Sequence, residues 1–134
     1  MKKIRTVMVE PRKEPCIKWL DLSITAFNEA VSKGCGFPCH AKAKKLSKGI
    51  YILYAEEGTT LMSAANRKIG KYIIFGVFHI INVKNGLIKS LSEEQVETYI
   101  ARFKKPDEFT EDEVLHYCLE HVCKEIDELQ FEEL

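Results

Sequence analysis

The run KYIIFGVFHIINV, residues 71–83, is rich in β-branched and aromatic side chains and must be buried by whatever fold the chain adopts. It is too short to cross a bilayer as a helix, and no 18-residue apolar span occurs anywhere in the sequence. A second run, GIYILYA (residues 49–55), has the same character. Both are expected to be central strands, the longer one a single strand with Gly76 marking a bulge. Asn85-Gly86 follows directly and suits a type I′ hairpin, whose two central positions need positive φ, so the chain should return as LIKSL, residues 87–91.

Outside these strands the period changes. KIRTVMVEP (residues 3–11) alternates as a first strand ended by Pro11, and EPRKEP reads as a turn. DLSITAFNEAVSKG (residues 21–34) predicts a helix with Asp21 or Ser23 as its cap. Leu22, Ala26, Phe27 and Ala30 fall on one face, and Gly34 sits at the carboxyl-terminal cap. CGFPCHAKAKKLSKG (residues 35–49) has no clear period and reads as a surface loop with at most one short edge strand. Two further helices begin with capping boxes joined to hydrophobic staples. Ser92 with Gln95 is flanked by Leu91 and Val96, and Thr110 with Glu113 by Phe109 and Val114. The first should bury Val96, Tyr99, Ile100 and Phe103. The second carries Leu115, Cys118, Leu119, Val122, Ile126 and Leu129 along one stripe.

This order predicts an α+β fold, an antiparallel or mixed sheet of about five strands packed against helices on one face, with two carboxyl-terminal helices. A chain of 134 residues is long enough to bury a core in one domain without a disulfide or metal staple. Residues 1–109 form the expected α+β domain and 110–134 an acidic amphipathic helix packed on it. Tyr51, Leu53, Phe75, Phe78, Ile80, Val96, Ile100 and Leu115 are the expected core.

Charge is divided along the chain. Residues 1–90 hold 16 Lys and Arg against 6 Asp and Glu, and residues 91–134 hold 4 against 14, so a net charge of zero conceals a basic body and an acidic end. That division bears on the choice of partner more than on the fold. MKKIRTVMVEP lacks the apolar run of an export signal, so a cytoplasmic protein is expected, with no membrane partner. The five cysteines, Cys16, Cys35, Cys39, Cys118 and Cys123, are then reduced thiols.

Cys35, Cys39, His40, His116, Cys118, His121 and Cys123 offer soft ligands, but their irregular spacing lacks the paired two-residue gaps of zinc knuckles, and no metal is expected. Cys39 beside His40 has no identifiable third group to orient a thiol nucleophile. No glycine-rich phosphate loop or dinucleotide fingerprint is present, and no cofactor is expected. Lys42, Lys44, Lys45 and Lys48 lie in the expected loop and would hold phosphate by charge alone, which gives at most weak, salt-sensitive binding to nucleic acid.

The remaining candidate is YAEEGTTLMSAANRKIG, residues 54–70. Glu56 and Glu57 precede Gly58 in what reads as a turn, with TTLM returning as a strand, so the carboxylates have a conformational explanation. SAANRKIG has none as simple. Asn66 suits a left-handed bend, while Arg67 among small residues reads as a guanidinium that anchors carbonyls, with anion binding as its alternative. Glu56, Glu57, Asn66 and Arg67 are therefore the candidate ligand or partner site, with no catalytic residue assigned.

VEPRKEP, a short helix ending near glycines, EEG, NRKI, IIFGVFHII and SLSEEQVETYIARFKKPDEF occur in this order over most of residues 5–109. In this the chain resembles the uncharacterised family catalogued as domain of unknown function 3846. Two positions depart from the pattern: VSKGCG stands where adjacent glycines are usual, and Ala55 precedes Glu56 where an asparagine is usual. The resemblance implies a small cytoplasmic accessory protein of bacteriophages and conjugative elements, with the last helix as an added extension. The reading that follows is a noncatalytic protein that binds a protein partner, counter-defence being one role. Its acidic last helix, with Glu111, Asp112, Glu113, Glu120, Glu125, Asp127 and Glu128, would stand in for phosphates in a basic groove. The rival readings are a small-ligand protein or enzyme using the Glu56, Glu57, Asn66 and Arg67 region, and a weak nucleic-acid binder using Lys42–Lys48.

Overall fold

The computed structural model describes residues 2–34, 37–57 and 64–120. The chain is α+β. Strands β1 (Lys3–Val9), β2 (Cys16–Asp21), β3 (Ala41–Ser47), β4 (Ile50–Ala55), β7 (Phe78–Lys84) and β8 (Leu87–Lys89) form an antiparallel sheet in the order β2-β1-β7-β4-β3, with β8 added to β7. Strands β5 (Ala65–Ile69) and β6 (Tyr72–Phe75) make a separate antiparallel hairpin. Helix α1 spans Ile24–Ser32, α2 spans Glu93–Phe103, and α3 is helical over residues 111–120, where the described chain stops.

Both faces of the large sheet are covered, where one was expected. On one side Ile4, Leu20, Leu53 and Ile81 pack against Phe27 and Val31 of α1 and against Cys39. On the other, Val7, Val9, Ile50, Ile52, Phe78 and Ile80 pack against Leu91 and against Val96, Tyr99 and Phe103 of α2. The reason lies in β7, whose successive residues Phe78, His79, Ile80 and Ile81 are all buried. A strand that is buried on both sides leaves neither sheet face for water. Tyr51 and Ile100 border these two clusters half-buried.

Several local expectations hold. Asn85 and Gly86 adopt φ of 54° and 75° and join β7 to β8. Ser92 and Gln95 form the reciprocal capping box of α2, and the Thr110 hydroxyl accepts the Glu113 N–H at 3.1 Å to start α3. Of the two caps considered for α1, Ser23 is the one used, accepting from the Ala26 N–H at 3.1 Å; Leu22 is exposed, and Phe27 and Val31 are the buried residues.

Four expectations are corrected. Residues 71–83 are two strands, because Gly76 at φ +78° turns the chain out of the β5–β6 hairpin and into the large sheet, its N–H bonded to Ala64 O at 2.7 Å. CIKWLD, read as no element, is β2, an edge strand paired along its whole length with β1. The edge strand allowed for in the lysine-rich segment is present as β3, and it takes in Lys42, Lys44 and Lys45, which were expected in a loop. Its pairing with β4 satisfies a backbone edge that would otherwise lie open, while Lys42, Lys44 and Lys45 remain exposed, as suits a sheet edge. Helix α3 is turned about its axis from the expected stripe. Val114 is buried with Ala65 and Ile73, and Phe75, Phe109, Tyr117 and Cys118 pack around them, whereas Leu115 and Leu119 are 57% and 50% exposed. The staple residue Phe109 lies against the hairpin and brings Val114 inward with it. Val122, Ile126 and Leu129 lie outside the described residues, as do Gly58 and the expected TTLM strand.

Candidate functional site

Arg67 lies on β5 and is 1% exposed. Its Nε and Nη2 donate to Phe103 O at 3.3 and 2.9 Å, and Nη2 also donates to Lys13 O at 2.7 Å. Nη1 donates to Asn66 Oδ1 at 2.8 Å, to Asn66 O at 3.2 Å and to Glu10 O at 3.4 Å. The guanidinium thus spends its fork on carbonyl groups of three separate segments. Burial pushes its pKa below the ordinary value, opposed by Asp107, and no carboxylate among the described residues forms an ion pair with it. Carbonyl dipoles supply the compensation that a buried cation needs.

Asn66, fully buried beside it, donates through Nδ2 to Val9 O at 2.9 Å and to Gly76 O at 2.7 Å. It sits in β5 at a register irregularity between Ala65 and Arg67, and its φ is not positive, so the expected left-handed bend does not occur there. The irregularity has a use. It lets two successive polar side chains serve the inner carbonyls of the sheet corner.

The two glutamates belong elsewhere. The Glu57 carboxylate accepts from the His40 backbone N–H at 2.8 and 3.1 Å and lies 2.7 Å from His40 Nδ1, which holds its pKa below the usual carboxylate range. The Glu56 N–H donates to His40 O at 2.8 Å, and its side chain is exposed. Among the described residues neither glutamate bonds Asn66 or Arg67. The structure therefore joins Asn66 to Arg67 as one buried anchor, and Glu57 to His40 as an exposed clasp between the ends of β3 and β4.

Cys39 packs under α1, with its N–H donating to Ser32 Oγ at 2.8 Å, while Cys118 packs on the β5–β6 hairpin. They belong to different clusters. Among the described residues no three His, Cys, Asp or Glu side chains converge as metal ligands do, and Cys35, His121 and Cys123 lie outside those residues. Lys44 Nζ lies 3.4 Å from the centroid of the Tyr72 ring, so one cation of the lysine strand is drawn onto β6.

His79 was not singled out in the sequence, where it stands alone in an apolar run. It is 1% exposed, with Nδ1 3.1 Å from Thr6 Oγ1. The Thr6 hydroxyl donates its only proton to Lys18 O at 2.8 Å, so Nδ1 must carry the proton and donate to Thr6. Nε2 is then an acceptor, and no described protein group donates to it. Burial first, then Lys18 and Lys33, push the imidazole down to about 4, with Glu10 opposing. A lone polar residue in an apolar strand was the available signal.

No helix among the described residues is long and apolar enough to cross a membrane. Compared with family models, with curated proteins and with solved structures, the chain matches none.

Proposed function

We propose that the chain is a noncatalytic protein that binds a protein partner in the cytoplasm, and that its acidic carboxyl-terminal helix makes the contact. The observation that carries this reading is the exposed pair Leu115 and Leu119, one turn apart on α3, with Glu111, Asp112 and Glu120 also exposed on that helix. Anchors of this kind, apolar in the middle and acidic around, suit a partner with a basic groove that has an apolar floor. The rival site is weakened by its own geometry. Arg67 and Asn66 are occupied by carbonyls, and Glu57 is exposed and bonded to His40, so that among the described residues no carboxylate forms an ion pair with the guanidinium. The resemblance to accessory proteins of bacteriophages and conjugative elements supports a mobile-element setting, with a nucleic-acid-binding host protein as target and counter-defence as one outcome.

The test is capture from a host lysate, read by mass spectrometry, using the wild-type chain and the Leu115→Lys/Leu119→Lys variant. A basic protein retained by the first, lost by the second and displaced by added polyanion is the expected result. Equal retention by both chains, or loss only when Arg67 is changed, would overturn the reading.

A further inference from the structure

Strand β2 ends the large sheet on one side, and among the described residues no strand lies along its outer edge. The register with β1 decides which backbone groups occupy that edge. Leu22 N–H donates to Lys2 O at 2.9 Å, in line with the pairs Ile4–Leu20, Thr6–Lys18 and Met8–Cys16, so these are the hydrogen-bonded pairs of the ladder. The residues between them, Ile17, Trp19 and Asp21, turn their N–H and C=O groups outward. Arg5, opposite Trp19, obeys the same alternation: its N–H donates to Ser90 Oγ at 2.9 Å and its C=O accepts from Leu91 N–H at 3.0 Å, on the side of β1 away from β2. The two ends of the sheet also differ in their side chains. At β3 the edge is guarded by exposed Lys42, Lys44 and Lys45. At β2, Ile17 and Trp19 are 47% and 53% exposed on the sheet face that α2 covers farther in, and the strand carries one cation, Lys18, and one anion, Asp21. The Trp19 ring is supported from below its edge by the Arg5 guanidinium, 5.8 Å from its centroid and itself fixed by two bonds to Leu91 O.

We propose that β2 pairs with β2 of a second copy of this chain, antiparallel about a twofold axis at Trp19, so that the two large sheets join into one. An edge of open N–H and C=O groups takes a strand as its partner, and β2 is complementary to itself. Residues directly opposite in an antiparallel pair share a face, so a strand paired with its own copy centres on a residue rather than between two. Centring on Lys18 would set two ammonium groups opposite each other and bring Pro15, which has no N–H, opposite Asp21. Centring on Trp19 avoids both. It sets Ile17 against Asp21 and Lys18 against Leu20, which places each Lys18 one residue from the Asp21 of the second copy and leaves no like charges opposed. The outward groups of Ile17, Trp19 and Asp21 then meet their equivalents, and a row of Arg5, Trp19, Trp19 and Arg5 crosses the joint. Such a contact consumes both β2 edges and closes, whereas β2 laid on the lysine-guarded β3 edge would leave free edges and continue as a fibre. The β2 contact is independent of the helix α3 contact and stands or falls separately from it.

The experiment is analytical ultracentrifugation of the full chain over a wide range of concentration, with amide hydrogen exchange read by NMR on the same samples. The expected result is a monomer–dimer equilibrium that stops at two copies. As the dimer forms, the amides of Ile17 and Trp19 should become protected, while those of Lys18 and Leu20, already bonded to β1, exchange slowly at every concentration. Trp19→Lys, which sets two ammonium groups at the axis, should weaken association about thirtyfold or more, the scale of losing a central aromatic anchor. Ile17→Pro removes an outward N–H and spares the bonds to β1, so it should weaken association with the fold retained, as far-ultraviolet circular dichroism will report. Leu115→Lys/Leu119→Lys should dimerise as the wild type does. A wild-type chain that stays monomeric at the highest concentration overturns the proposal. So does growth into species without limit, a dimer in which the Ile17 and Trp19 amides still exchange freely, or one lost in the leucine variant and kept in Trp19→Lys. The exchange data on the wild-type chain decide the matter even where a β2 variant fails to fold.

Discussion

Arg67 closes helix α2: its Nε and Nη2 both donate to the carbonyl oxygen of Phe103, at 3.3 and 2.9 Å. The last carbonyls of a helix have no partner within it, and the helix dipole favours a cation at that end. Because Nη2 also reaches Lys13 O at 2.7 Å, the same side chain ties the helix to the turn between β1 and β2. Helix and sheet are thus joined through one buried fork.

Arg67→Ala should therefore lower stability by about 3 kcal/mol, chiefly through buried acceptors left unpaired. Arg67→Lys should recover less than half of this, since one ammonium cannot reproduce a planar fork directed at several carbonyls. Glu57→Ala, which opens an exposed clasp, should cost well under 1 kcal/mol by the general rule for surface substitutions. Urea unfolding of the three variants near neutral pH measures all of these. A larger loss for Glu57→Ala than for Arg67→Ala would show that the anchor has been misplaced.

The second prediction concerns pH. His79 takes up a proton near the ordinary value of 6.5 in the unfolded chain and only near about 4 when folded. Between those values the unfolded state binds the extra proton, so stability is complete above 6.5, falls as pH drops toward 4 and levels off below that. The total loss should be about 3 kcal/mol at 1.36 kcal/mol per unit. Glu10, Glu57 and Glu113 are all held below 4.5, so their contributions are lost only at lower pH and leave the slope above about pH 5 to histidine. His79→Gln should flatten the stability profile between pH 5 and 6.5, whatever its effect at neutral pH.

At Gly76 the cost of a side chain is purely conformational. Its φ of +78° lies in the left-handed region, and a Cβ added there meets nothing within 4 Å. Gly76→Ala should then destabilise by about 1–2 kcal/mol without a packing defect. Crystallisation or NMR of the variant should show β6 and β7 still in separate sheets, with the loss confined to the unfolding equilibrium.

Gly76 also shows what the sequence made legible and what it did not. The apolar run around it announces strands, but a positive φ at one glycine is compatible with a bulge or with a corner, and only the partner strands decide. The Asn85-Gly86 turn and the Ser92 and Thr110 caps are local chemistry and read directly. Strand β3 is the opposite case, since AKAKKLS has little strand preference of its own and is ordered by pairing with β4. In β2 the exposed Ile17 and Trp19 gave no inward-facing pattern to recognise. In β5 the anchoring role of Arg67 was readable from a guanidinium among small residues, but its placement in a strand was not. Two buried polar residues in succession resemble a loop until their carbonyl partners, most of them 36 to 57 residues away, are known.

For nucleic acid, the intact chain should bind duplex DNA weakly and with strong salt dependence. Its basic body is opposed by an equal acidic excess at the end, and Lys44 is committed to Tyr72. Titration by fluorescence anisotropy at two salt concentrations checks this. Tight binding to one sequence, insensitive to salt, would contradict it.

The last prediction separates the two faces of α3. Val114 is 5% exposed and packed with Ala65 and Ile73 of the hairpin, so Val114→Ala removes two buried methyl groups and should cost about 1–2 kcal/mol. Leu115 and Leu119 project from the same helix with about half their surface in water. Their replacement by lysine should change stability by no more than about 0.5 kcal/mol, the ordinary range for surface sites. If α3 instead packed through the stripe read from the sequence, the order would reverse, with Leu115→Lys severely destabilising and Val114→Ala nearly silent. Thermal melts of the two single variants and of the double leucine variant therefore fix the rotation of the helix. They also establish that loss of a partner by the leucine variant reflects the contact itself rather than an unfolded chain.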